Sequence, residues 1–171
     1  ASLTHAHPDS VAACVLWSLA IQEAITTATP DKPFGWEATI RNGLKYVDPG
    51  QRDKWDVRIN DAVAGPPAVF NPNGWVVTAF QAALSAIVNT PEPLGQAQDH
   101  FADALIAAVR IGHDTDTVAA IAGGLLGARW GAAEIPDDWL RLLNGQRRNG
   151  LEPVPGSTLE DLARSSLDSA I

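Results

Sequence analysis

The chain has 171 residues, 46% of them hydrophobic and 19% charged, a balance that fits one globular domain and excludes a disordered chain. A formal net charge of −8 argues against nonspecific binding to nucleic acid or to an anionic membrane, because their phosphates would be repelled. A small phosphate-bearing ligand stays open, since its pocket can be locally positive or metal-lined.

The single cysteine, Cys14, has no partner for an internal disulfide, so a reducing cytoplasm is the expectation. Cys14 lies in the apolar run Val11 to Leu16 and is read as core. No signal peptide and no apolar stretch long enough to span a bilayer are read from the sequence.

In chain order, Pro8, Asp9 and Ser10 open a helix. From Val11 to Ile25 it leaves almost no polar face, as in the middle of a bundle. TPDKPFG at 29–35 breaks it. A more polar helix follows from Trp36 to Val47, stopped by Asp48-Pro49-Gly50, and a short one runs from Arg52 to Val63. AGPPAVFNPNG at 64–74 is a loop. Trp75 to Val88 is a second strongly apolar helix, and NTPEPLG at 89–95 is a turn.

Gln96 to Ile111 is amphipathic, with Phe101, Leu105, Ala108 and Val109 on one face; His100 is read as exposed. A slim helix of small apolar residues, read as central and fully buried, spans Thr115 to Trp130. IPDDW at 135–139 starts a short one, with Pro136 early and Asp137 in the first turn. Arg147-Arg148 marks a solvated helix end. Ser157 and Glu160 have capping-box spacing and begin the last helix. No alternating strand pattern of useful length is present. The fold class is all-α, a compact multi-helix bundle, with residues 1–171 as a single domain.

Residues 112–131 read GHDTDTVAAIAGGLLGARWG and carry the strongest chemical signal. One Asp before a helix is a cap, and its charge suits the positive end of the helix dipole. Two, Asp114 and Asp116, with Thr117 beside them, are more than a cap needs. Their oxygens can converge on one cation from the first turn, and hard oxygen ligands suit Mg²⁺ or Mn²⁺ rather than zinc. Glycine inside a helix costs about 1 kcal/mol relative to alanine. Gly123, Gly124 and Gly127 therefore suggest that other backbones approach this helix closely.

The stretch, with IPDDW after it, resembles the C-terminal signature of the ADP-ribosylglycohydrolase family: GGDTDT, then A-I-A-G, GA-x-x-G and I-P-x-x-W. SLTHAHPDSVAAC at 2–14 is similar to the family's S-L-T-H segment opening a central helix. NGWVVTAFQAALSAI at 73–87 is similar to the helix before the signature. The matches run from Ser2 to Trp139 in the family's order.

The resemblance implies an all-α bundle around a dinuclear Mg²⁺ or Mn²⁺ centre and hydrolysis of the bond between ADP-ribose and a modified protein or related acceptor. It implies Asp114, Asp116 and Thr117 as metal ligands, with the two aspartates as the catalytic pair. His5 takes the place of the family histidine that contacts ADP-ribose. Trp75, at a loop–helix junction placed near the ligand, is a candidate for stacking on it, with core packing as the alternative and the more ordinary role.

Two departures stand out. His113 replaces the family's Gly before the first aspartate; it is either a substrate contact or a tolerated loop variant. The family's N-terminal acidic Gly-Asp segment, Thr-Asp-Asp metal motif and phosphate loop do not occur in these residues. The expectation is a companion chain or N-terminal segment carrying the rest of the site, and no hydrolase activity from this chain alone. The alternative is a non-catalytic ADP-ribose-binding or structural member of the same fold.

Overall fold

The computed structural model describes residues 1–27, 29, 32–92, 97–145 and 154–168. Among these, eight α-helices account for nearly all regular structure: α1 (Pro8–Thr27), α2 (Trp36–Asn42), α3 (Pro49–Ala64), α4 (Val76–Val88), α5 (Ala97–Arg110), α6 (Thr115–Trp130), α7 (Asp137–Leu142) and α8 (Ser157–Asp168). A two-residue antiparallel pair, β1 (Asn144–Gly145) with β2 (Val154–Pro155), is the only strand pairing among the described residues. The fold is all-α, and Arg147-Arg148 lies outside the described residues.

The core forms where α4 and α6 cross their neighbours. α4 is buried along nearly its whole length, from Val77 to Ile87, and packs on α3, α5 and α6. α6 packs on α5, α4 and α1 through Val118, Ala122, Leu125 and Leu126. Trp17 of α1 donates its indole N–H to the Ile121 carbonyl at 3.0 Å and meets Phe80 of α4 edge-on at 5.1 Å, tying three helices together. Trp55 of α3 takes the other edge of Phe80 at 5.0 Å.

Several sequence expectations need correction. The helix expected from Arg52 begins three residues earlier, at Pro49: the Asp48 carboxylate accepts the Gly50 N–H at 2.8 Å and Pro49 takes the first turn, where no N–H is needed. Cys14 is exposed, because α1 buries only one side, through Ala12, Ala13, Leu16, Trp17 and Ala20. α1 is also long and apolar enough by composition to cross a bilayer, contrary to the reading of the sequence. It packs instead on α6, α2 and α4, and it carries a buried ion pair at its start.

α6 is not enclosed either: Ala120 and Gly124 are exposed. No backbone crowds its glycines. A Cβ at Gly123 or Gly124 would meet only the Leu105 or Ile21 side chain, at 3.5 and 3.8 Å, and one at Gly127 would meet nothing within 4 Å. Closer approaches lie elsewhere: at Gly43 after α2, where a Cβ would stand 3.0 Å from Leu16 Cδ2 and 3.4 Å from its Cα, and at Gly156, where it would stand 2.9 Å from Leu143 Cβ.

His100 is the sharpest reversal. It is 1% exposed, its ring stacked on Trp36 at 5.5 Å. The Trp130 indole N–H donates to Nδ1 at 3.1 Å, leaving Nε2–H to face the Ile87 carbonyl at 3.3 Å. Both ring nitrogens are used by a neutral imidazole, and burial pushes its pKa below the ordinary value.

Candidate functional site

Asp114 is the N-cap residue of α6, yet its carboxylate makes no capping hydrogen bond. Asp116 and Thr117 stand exposed in the first turn, and among the described residues neither side chain is engaged. Two carboxylates and a hydroxyl therefore sit within four positions with their oxygens uncommitted. This is unusual for a helix start, where an Asp oxygen ordinarily accepts the N–H two or three residues on.

The turn before α6 is built by force. Gly112 and His113 both have left-handed backbones, with φ of 82° and 64°. For a non-glycine residue this costs about 1–2 kcal/mol, so neighbours must hold it. The asparagines of NPNG do. Asn71 Nδ2 donates to the Ile111 carbonyl at 3.1 Å, and Asn73 Nδ2 to the Gly112 carbonyl at 3.1 Å. Asn73 Oδ1 then accepts the Asp114 N–H at 2.8 Å. Asn73 is fully buried. The His113 ring is exposed and lies over Gly74, where a Cβ would come within 3.6 Å of its Cε1.

Trp75, the N-cap residue of α4, is 52% exposed, with the Arg58 guanidinium 5.6 Å from its ring centre. Core packing is thus not its role. Arg58 also faces the Trp55 ring at 5.0 Å, and it donates to both oxygens of Asp9 at 2.5 and 3.2 Å. The hydrogen bonds from Arg58 hold the Asp9 carboxyl below its ordinary pKa, against the opposing effect of burial. His7 Nδ1 accepts the Asp9 N–H at 3.2 Å, capping α1.

The starts of α1 and α4 therefore meet at Arg58 of α3, and NPNG ties the start of α6 to that of α4. Trp75, Asn73, His113 and Asp114 are brought together through NPNG. His5 is not joined to them by any hydrogen bond among the described residues; it is exposed, with Nδ1 3.0 Å from Thr4 Oγ1. Reading the sequence missed Asn71, Asn73, Asp9 and Arg58. The asparagines in NPNG gave no clear signal, since Asn is itself a favoured turn residue and its presence in a loop is explained locally. Arg58 left none, because only tertiary packing brings it 49 residues back to Asp9.

As a cation site the set fits in type and falls short in number. Mg²⁺ takes six oxygens, some from water. Asp114, Asp116 and Thr117 can supply hard ones, but among the described residues no group of three or more His, Cys, Asp and Glu side chains is placed to hold a metal.

The family model for ADP-ribosylglycohydrolase matches residues 1–170. Two similar curated proteins share the name ADP-ribosylarginine hydrolase Tri1. One, from Serratia proteamaculans (strain 568), is 27% identical over 146 residues, 85% of this chain and 35% of its own. The other, from Pseudomonas putida (strain GB-1), is 27% identical over 140 residues, 81% of this chain and 33% of its own. The chain thus spans about a third of the length of the curated relatives it matches. No solved structure matches it. By a match over nearly its whole length, the chain belongs to the ADP-ribosylglycohydrolase family.

Proposed function

We propose that this chain is part of a metal-dependent hydrolase that removes ADP-ribose from modified protein, and that Asp114, Asp116 and Thr117 are its contribution to a dinuclear Mg²⁺ or Mn²⁺ centre. The observation that carries the reading is the uncommitted Asp114 carboxylate, at a cap position where it caps nothing. The relatives' name, ADP-ribosylarginine hydrolase, favours arginine as the modified side chain. When bound, the cations would supply a polarised water and electrostatic stabilisation of the charge that develops as the glycosidic bond breaks.

The chain's own residues do the rest. Asp114 and Asp116 put uncommitted negative charge at the start of α6 and, with Thr117, would hold the cations that orient hydroxyl-bearing ligand groups. Trp75 offers an exposed indole face for stacking, its ring fixed from behind by Arg58. His113 and His5 are exposed donors that can meet substrate oxygens. The remaining ligands come from further sequence or a companion chain. Supporting this are the short donor set, the chain's one-third share of its relatives' length, and the outward Cys14 and Ile25 of the apolar α1. A reducing cytoplasm remains the proposed setting.

The test is release of ADP-ribose from an ADP-ribosylarginine protein, by this chain and by the full-length protein containing it, with Mg²⁺, Mn²⁺ or chelator. Metal-dependent release by the full-length protein and none by the chain alone is the expected result. Release by the chain alone would overturn the shared site. Metal-dependent ADP-ribose binding by the full-length protein without turnover would replace the hydrolase with the non-catalytic binding member of the fold.

A further inference from the structure

We infer that Asn73 is a positioning residue for Asp114: its buried carboxamide keeps the Asp114 carboxylate out of the capping role and so leaves it available as a ligand. The inference deepens the proposed metal site and rests on that reading for its functional meaning.

Four observations lead to it. Asn73 is fully buried and fully used, with its two polar atoms committed to Gly112 and Asp114, 39 and 41 residues away in sequence. A buried carboxamide that bridges a carbonyl and the second N–H after it fixes the path between them. That path is the double left-handed turn at Gly112 and His113, which has little reason to persist unaided. At its end Asp114 takes φ −88° and ψ 60°, with its N–H tied back to Asn73 and its side chain off the helix N–H groups. Without the tie, the Asp114 carboxylate is free to swing onto the N–H of Asp116 or Thr117, the ordinary arrangement for an N-cap aspartate. Asn71 makes a useful contrast, since it holds the Ile111 carbonyl of the same loop and does not touch Asp114.

The experiment compares wild type, Asn73→Ala and Asn71→Ala in the 171-residue chain by amide hydrogen exchange, and in parallel titrates Mn²⁺ while following paramagnetic broadening of amide signals. In Asn73→Ala the Asp114 amide should exchange at least tenfold faster, and the Asp116 or Thr117 amide should gain protection as Asp114 becomes a cap. The Mn²⁺ concentration for half-broadening at residues 114–117 should rise about tenfold. Asn71→Ala should lower thermal stability without either change.

Loss of protection at Asp114 with no gain at Asp116 or Thr117 would reduce Asn73 to a loop tether and overturn the inference. So would equal effects of the two variants. If wild type shows no Mn²⁺ broadening at 114–117 while the protection still moves in Asn73→Ala, the positioning stands and the metal reading fails. Should Asn73→Ala not fold, Asn73→Asp keeps an acceptor for the Asp114 N–H while losing the donor to Gly112. Protection at Asp114 should then exclude a gain at 116 or 117: Asp114 kept with none gained, or Asp114 lost with a gain, supports the inference, and Asp114 kept with a gain, or lost with none, overturns it.

Discussion

Arg58 forks onto both carboxylate oxygens of Asp9, joining the middle of α3 to the first turn of α1 beneath the exposed face of Trp75. The pair is largely buried, with side chains 18% and 10% exposed. Removing one partner leaves the other charge buried and uncompensated, at a cost of about 3–5 kcal/mol. Arg58→Ala should show a loss of that order in urea unfolding. A change under about 1 kcal/mol would mean that the pair behaves like a surface salt bridge. Because the Asp9 pKa is lowered by Arg58 below 3.8, its stabilisation is present above that value and lost as the pH falls through the folded-state pKa.

His100 gives a second, milder acid sensitivity. Burial lowers its pKa below 6.5, so the unfolded chain takes up the proton first. The neutral ring's contribution is full above pH 6.5 and declines as the pH falls toward the folded-state value. Thermal unfolding of wild type should lose stability from pH 7 to pH 5, and His100→Gln should flatten that part of the curve. A parallel curve for the variant would assign the loss to other groups.

Asp48 and Asp114 occupy equivalent helix starts and should respond differently to truncation. Asp48 caps α3 through the Gly50 N–H, so Asp48→Ala should cost about 1 kcal/mol. Asp114 caps nothing, so Asp114→Ala should leave stability within about 0.5 kcal/mol. The same variant should weaken Mn²⁺ binding at least tenfold, as should Asp116→Ala. Unchanged Mn²⁺ affinity in both would remove the carboxylates from any metal site.

His113 holds a left-handed backbone that glycine adopts freely. His113→Gly should therefore match or exceed the wild-type melting temperature, whereas His113→Val should fall below it. Weaker ADP-ribose binding by the glycine variant in the full-length protein would give the imidazole a ligand role. Unchanged affinity and turnover would make it a loop variant only.

Gly43 lets α1 approach the turn after α2. A methyl group there would press on Leu16, a fully buried side chain that would have to shift. Gly43→Ala should lose about 1–3 kcal/mol to overpacking. Gly127→Ala, in open space within α6, should gain up to about 1 kcal/mol from helix propensity.

The sequence by itself determined the helical class and the order of the helices, and it put two carboxylates and a hydroxyl in the first turn of α6. These follow from local rules: apolar spacing, turn residues and capping oxygens act within a few positions. It overstated burial, making α6 fully enclosed and Cys14 core, because a helix that is apolar all round reveals nothing of how many sides find a neighbour. It understated burial at His100, whose polar ring is satisfied by Trp130 and the Ile87 carbonyl, 30 and 13 residues away. Only the tertiary structure decided that NPNG clamps the turn before Asp114 and that Arg58 reaches Asp9. These are hydrogen bonds between groups 39 to 49 residues apart, and no local pattern encodes which distant partner a buried polar side chain will meet.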